Sequence, residues 1–175
     1  MPVRPEGSRR ILGIDPGSRI TGFGCIDVCR GRPTLVDAGV IRCGGGALAP
    51  RLLTIHAGIS ELVAGLSPDE VAVEEVFVSR NARSALVLGQ ARGAAITAAA
   101  TLGGDAIHEY AARRIKLAIV GTGGADKAQV QHMVARILGI QQTLPADAAD
   151  ALAVAICHAH YHASPYPHAK PGTAT

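Results

Sequence analysis

Four acids carry this sequence's capacity for chemistry: Asp15, Glu74, Asp147 and Asp150. Asp15 ends the apolar run Ile11-Leu12-Gly13-Ile14 and is followed by Pro16-Gly17, the pattern of a buried strand leaving its sheet in a tight turn. Glu74 lies in Val71-Ala72-Val73-Glu74-Glu75-Val76-Phe77, where strand alternation puts Glu74 and Glu75 on opposite faces, so that one of them points toward the site. Asp147 and Asp150 open the last helix three residues apart, which places them on one face. Each has an ordinary explanation in isolation. Asp15 suits an Asx-turn, and two acids at a helix start suit capping and the macrodipole, worth about 0.3–1 kcal/mol each. Gathered at strand ends and a helix N-terminus, however, four ionised carboxylates would carry a charge of −4 and must take up protons or cations. Oxygen-only ligation favours hard ions, Mg²⁺ or Mn²⁺, over Zn²⁺, and two such ions roughly 4 Å apart suit in-line displacement at a phosphodiester. The chemistry implied is metal-dependent cleavage of a nucleic-acid backbone.

Those acids need a frame, and 175 residues supply one domain. It is expected over residues 9–162, between a flexible leader (1–8) and a disordered tail (163–175). Hydrophobic residues make up 48% but aromatics only 3%, with no Trp, so the core must be built from Ala, Val, Ile and Leu. The net charge of +3 is too small to argue for a polyanionic partner by itself. Four cysteines form no C-x-x-C pair and suggest reduced thiols in a cytoplasmic protein. No run approaches the roughly 18 consecutive apolar residues of a membrane span, and the N-terminus lacks a signal-peptide core.

In chain order, the first strand starts at Arg9 or Arg10. Thr21–Val28 and Leu35–Arg42 follow as strands joined through Arg30-Gly31-Arg32-Pro33, making an antiparallel meander. Gly22 and Gly24 share a face, either to admit a close neighbour or as a twisted strand beside a crowded one. A helix is expected over 50–66, the Glu74 strand over 71–77, and an Ala-rich helix over 81–101. Its ridge of small residues, Ala85, Gly89, Gly93 and Thr97, is expected to pack on its own sheet, with the same helix of a second subunit as the alternative. A strand at 106–110, a short helix that stops near Gly121, a helix over 126–138 closed by Gly139, and the last helix to about His160 complete the pattern. The class is α/β, with the first three strands antiparallel.

Gly13-Ile14-Asp15-Pro16-Gly17-Ser18 with Thr21-Gly22, Val73–Phe77, Leu88–Gly93, Glu109–Arg113, Lys127–Val134 and Ala146–Leu152 together resemble the RuvC family of crossover junction endodeoxyribonucleases. The resemblance covers nearly all of Ile11 to His160, and its first and last motifs are the specific ones. It implies a ribonuclease-H-like fold, a five-stranded mixed sheet flanked by helices, acting as a homodimer on four-way DNA (Holliday) junctions. It implies that Asp15, Glu74, Asp147 and Asp150 hold two Mg²⁺ ions, with Mn²⁺ the alternative, and that paired nicks leave 5′-phosphate and 3′-hydroxyl ends. Some family members carry His where this chain has Asp147. By the same resemblance Phe77 stacks on an unpaired base at the junction centre, and Lys116 and Lys127 lie near the scissile phosphate. Arg80, Arg83, Arg113 and Arg114 are candidates for junction phosphates. The RuvAB branch-migration complex is a candidate partner.

Other signals are discounted. Cys157-His158-Ala159-His160-Tyr161-His162 looks like a metal cluster, but it lies at the far end of the last helix from the acids, and His suits a helix C-terminus without any ion. His56, His108 and His132 are read as structural. The rival readings are a phosphate-binding ATPase or sugar kinase, against which the length counts, a non-catalytic junction-binding module, and a related nuclease acting on another branched or RNA substrate.

Overall fold

The structure, a computed structural model, describes residues 4–75 and 81–163. The continuous apolar run Ile11–Ile14 makes β1 (Arg9–Asp15) a strand buried on both faces: Leu12 and Ile14 point to one side, Ile11 and Gly13 to the other. It pairs antiparallel with β2 (Ile20–Cys29), which pairs antiparallel with β3 (Arg32–Arg42). On its other edge β1 pairs parallel with β4 (Glu70–Glu75), and β4 pairs parallel with β5 (Ile107–Ala111). The sheet is five-stranded and mixed, in the order β3-β2-β1-β4-β5. The turn between β2 and β3 is shorter than the sequence suggested. Arg30 and Gly31 both take positive φ, 51° and 76°, which closes a two-residue hairpin and leaves Arg32 and Pro33 in the strand.

Helices cover both faces. On one side α1 (Leu48–Leu66) buries Ile55, Ile59, Val63 and Leu66, and α2 (Ala82–Ala99) buries Ala91, Ala95, Ala98 and Ala99, against Leu12, Ile14, Val71 and Val73. On the other side α3 (Ala112–Val120), α4 (Lys127–Leu138) and α5 (Ala146–Ala163) pack with Ile11, Ile26 and Ala72. The start of α4 is set locally by a capping box, in which the Asp126 carboxylate accepts from the Gln129 backbone N–H and the Gln129 side chain accepts from that of Asp126.

The ridge of small residues on α2 is placed differently from expectation. Gly89, Gly93 and Thr97 are exposed, and a Cβ at either glycine would meet nothing within 4 Å. The packed face is the row Ala91, Ala95 and Ala99, two residues on from the ridge; two residues turn a helix by about 200°, which leaves the ridge on the opposite, outward face. Ala82–Leu102 has the length and composition to cross a bilayer, but Arg83 and Arg92 interrupt it, and Arg92 is ion-paired to Glu109. The expected leader is anchored from Arg4 onward: Ser8 is buried, the Arg4 guanidinium donates to Ser8 O at 2.7 Å, and it pairs with Asp69. At the other end α5 includes Ala163, where the tail was expected to begin; residues 164–175 lie outside the described residues.

Buried charge pins the end of the sheet remote from Asp15. The Arg10 guanidinium donates two hydrogen bonds of 2.8 Å to Asp27 and one of 2.9 Å to Leu66 O, while its backbone N–H donates to Asp69. This bidentate geometry satisfies the charges that burial would otherwise make costly.

Against this frame α5 lies directly on backbone. A Cβ at Gly13 would stand 2.1 Å from Ala151 O, one at Gly22 would stand 2.0 Å from Asp147 O, and one at Gly24 would stand 2.5 Å from Leu152 Cγ. The glycines of β1 and β2 therefore admit the helix, the first of the two readings left open for Gly22 and Gly24. Gly22→Ala is expected to lower unfolding stability by about 1–3 kcal/mol through overpacking against helix backbone, whereas Gly45→Ala, with open space at its Cβ, should stay within about 0.5 kcal/mol. Urea midpoints for the two variants check the contrast.

Candidate active site

Asp15 and Glu74 each follow the last pair of the parallel register, Ile14↔Val73, and face one another at the strand ends on the side that α5 covers. Glu74, not Glu75, is the inward acid, because Ala72 of the same strand face packs in the α5 core. The N-terminus of α5 rests on Gly22 and brings Asp147 and Asp150 to the same point. One carboxylate oxygen from each of Asp15, Asp147 and Asp150 lies within 4.8 Å of the others, and Glu74 is hydrogen-bonded to Asp15.

Two lysines complete the cluster. Lys127 begins α4, fixed by the capping box before it, and its Nζ stands 2.5 Å from Asp150 Oδ2. Lys116 on α3 lines, with Glu74, Lys127, Asp150, Ile115 and Val130, a cavity of about 200 Å³ beside the acids. A roomier groove of about 700 Å³ lies between α1 and the β2–β3 hairpin, where Asp37 and Glu61 are the acids on its lining. Convergent donors, not size, mark the first as the candidate site.

The charges are unbalanced. Burial, and then the neighbouring Glu74, Asp150 and Asp147, push the Asp15 carboxyl up to about 7. Burial and Asp150 also raise Glu74, against the pull of Asp15, Lys127 and Lys116. The hydrogen bond to Asp150 holds the Lys127 ammonium in its charged form. A donor set made only of carboxylate oxygens, so crowded that one of them stays half-protonated near neutrality, fits hard divalent cations.

The loop that leaves β1 is tied down by Thr21, whose hydroxyl donates to Gly17 O at 2.9 Å, and by Arg51, whose Nε donates to Ser18 O at 2.7 Å. Sequence reading passed over Arg51; nothing in its own helix distinguishes it from a solvated charge. Of the expected DNA contacts, Arg83 is exposed in the first turn of α2, and Arg113 is exposed on α3. Arg114 is turned away from the acids: its guanidinium lies 3.9 Å from the Tyr161 ring centroid and also faces Tyr110. Phe77 and Arg80 lie outside the described residues.

The crowding has a measurable consequence. A carboxyl whose folded pKa exceeds its unfolded value binds more protons folded than unfolded, so in metal-free protein this group's contribution to stability declines as pH rises from about 4 to 7. Asp15→Asn is expected to remove that decline and, in chelator at pH 7.5, to stabilise the fold by about 1–3 kcal/mol. Denaturant titrations of both proteins across that range provide the check.

The family model described as Crossover junction endodeoxyribonuclease RuvC matches residues 11–158. A protein of that name from Dichelobacter nodosus is 59% identical over 152 residues, covering 87% of this chain and 86% of the relative; one from Marinobacter nauticus is 55% identical over 154 residues, covering 88% and 87%. Among solved structures, T. thermophilus RuvC in complex with Holliday junction substrate superposes with a TM-score of 0.80 at 34% identity, over 88% of this chain and 94% of that one. The yeast mitochondrial Holliday junction resolvase Ydc2, at 10% identity and a TM-score of 0.64 over 93% and 83%, shares the fold. With the family model spanning residues 11–158, relatives more than half identical over most of the chain and a solved RuvC that superposes on its mixed sheet, the chain belongs to the RuvC family of crossover junction endodeoxyribonucleases.

Proposed function

We propose that this protein resolves four-way DNA junctions by paired symmetric nicks, hydrolysing one phosphodiester at each of two sites to leave 5′-phosphate and 3′-hydroxyl ends. The observation that carries the reading is the convergence of Asp15, Glu74, Asp147 and Asp150 with Lys116 and Lys127 at one end of the sheet, in a chain whose relative was solved on a Holliday junction. The four carboxylates would hold two Mg²⁺ ions, or Mn²⁺, which when bound supply water activation and charge stabilisation at the leaving oxygen.

The protein's own groups do the rest. Asp15 sheds the proton it retains near neutrality, so occupancy of the site rises with pH. Lys127 and Lys116 offset negative charge on the scissile phosphate, Lys127 from a position held by Asp150. Phe77 stacks on an unpaired base, and Arg80, Arg83 and Arg113 bind flanking phosphates. Arg114 is left out of this set, because its guanidinium is spent on Tyr161.

Two cuts on symmetry-related strands call for two sites, hence a homodimer. The outward ridge of α2, in which Leu86 is 70% exposed beside Gly89 and Gly93, is the face proposed to meet its copy. Chromosomal junctions place the reaction in the cytoplasm and make the RuvAB complex a candidate partner.

On a synthetic four-way junction, metal-dependent paired nicks are expected that linear duplex of the same arms does not suffer. Asp15→Asn should slow them at least about 100-fold, equivalent to roughly 2.7 kcal/mol of transition-state stabilisation, with junction binding retained. Binding without cleavage under Mg²⁺ and Mn²⁺ alike would mark a junction-binding module, and equal cutting of duplex or RNA a different nuclease. Gly89→Leu should shift sedimentation toward monomer and uncouple the paired nicks; wild-type sedimentation would remove α2 from the interface.

A further inference from the structure

At the end of α5 opposite the acids, the fold joins histidines that are far apart in sequence. His108 on β5 shares a sheet face with Glu70 on β4, through the register Ala72↔His108. His158 and His162 stand one helical turn apart on α5, the spacing at which two imidazoles on one helix face can grip one ion. The three rings form a tight group, with centroids 4.4 Å apart for His108–His158, 4.3 Å for His158–His162 and 4.9 Å for His108–His162. One ring nitrogen from each lies within 4.8 Å of the others.

Structural need accounts for only one of them. His158, fully buried, donates from Nε2 to Glu70 at 3.0 Å and accepts at Nδ1 from the Tyr110 hydroxyl at 2.7 Å. His108 and His162 take no part in that chain, and among the described residues no hydrogen bond holds either side chain. Burial keeps His158 neutral, with its pKa pushed down to about 4, and also lowers His108. The charged neighbours are Glu70 and Arg9, which pair at 3.1 Å.

We propose that His108, His158 and His162, with Glu70 as the adjacent carboxylate, form a second metal site on this chain, one for a borderline divalent cation such as Zn²⁺. Imidazole-rich ligation selects such an ion, whereas the oxygen-only site at the other end of α5 selects a hard one. Nitrogens about 3.4 Å apart would surround a tetrahedral Zn²⁺ at its usual bond length of about 2.0–2.1 Å. His162, exposed near the end of α5, has the freedom to close the remaining gap. The proton on His158 Nε2 moves to Nδ1, which keeps it and donates a hydrogen bond to the Tyr110 hydroxyl oxygen, and Glu70 stays beside the ion as a fourth ligand. His158 is eight residues beyond Asp150, about 12 Å along the helix axis, so the site clamps β5 to the outgoing end of α5 without entering the reaction.

The test is a Zn²⁺ titration of chelator-stripped full-length protein against a chromogenic competitor in excess Mg²⁺, with thermal melts alongside. One Zn²⁺ per chain is expected, bound at least tenfold more weakly by His162→Ala and His108→Gln. His160→Ala, whose ring instead bonds Ala118 O, and Asp15→Asn should bind as wild type does. Zn²⁺ should raise the melting temperature of wild type but not of His162→Ala. Equal affinity across all the variants, or a loss confined to Asp15→Asn, would overturn the proposal.

Discussion

The close approach of α5 to bare backbone is the constraint from which the site follows. Gly13, Gly22 and Gly24 offer no side chains on the face where Asp147, Ala151 and Leu152 come down. A helix held off by valines or leucines on those strands would stand several ångströms further out, and Asp147 and Asp150 would not reach the ends of β1 and β4. Glycine in a strand costs about 0.5–1 kcal/mol each in backbone entropy. Burial of Leu152, Val154 and Ile156 on the same helix offsets that cost.

Because geometry rather than attraction gathers the acids, their repulsion is not relaxed in the folded chain. β1 is too deeply buried to retreat, and the Arg10–Asp27 pair fixes its other end. The positive end of the α5 dipole and two lysines supply partial compensation, and Asp15 still keeps a proton near neutrality. A site strained in this way gives up some stability in the metal-free protein and gains a strong preference for cations in return. The lysines come from α3 and α4, which pack on α5, so the helix that sets the acids also sets their counter-charges.

The same helix presents different donor chemistry at its two ends. Its N-terminus carries carboxylates, which suit the positive dipole end and hard ions; its last turns carry imidazoles, which suit the negative end and softer ones. Arg114, expected among the DNA contacts, lies in the second region, its guanidinium 3.9 Å from the Tyr161 ring centroid and 5.5 Å from that of Tyr110. Proximity in sequence to the Lys116 helix turn did not carry it to the acids, since helical neighbours two apart face different directions.

The sequence by itself determined whatever is encoded within one element or in a motif. The abrupt Asp-Pro-Gly end of β1, the shared face of Asp147 and Asp150, the cap and stop of α4, and the antiparallel start of an α/β sheet were legible because periodicity and turn chemistry are local. The resemblance to the RuvC family was legible for the same reason, through short motifs kept in order. Only the tertiary structure decided which of Glu74 and Glu75 faces inward, whether the β2 glycines admit a helix, which stripe of α2 is buried, and that His108 meets His158 and His162. Alternation and helical period state which residues share a face; they do not state what that face meets. That is set by strand register and helix docking between segments dozens of residues apart, and a shift of one residue in either would exchange every partner.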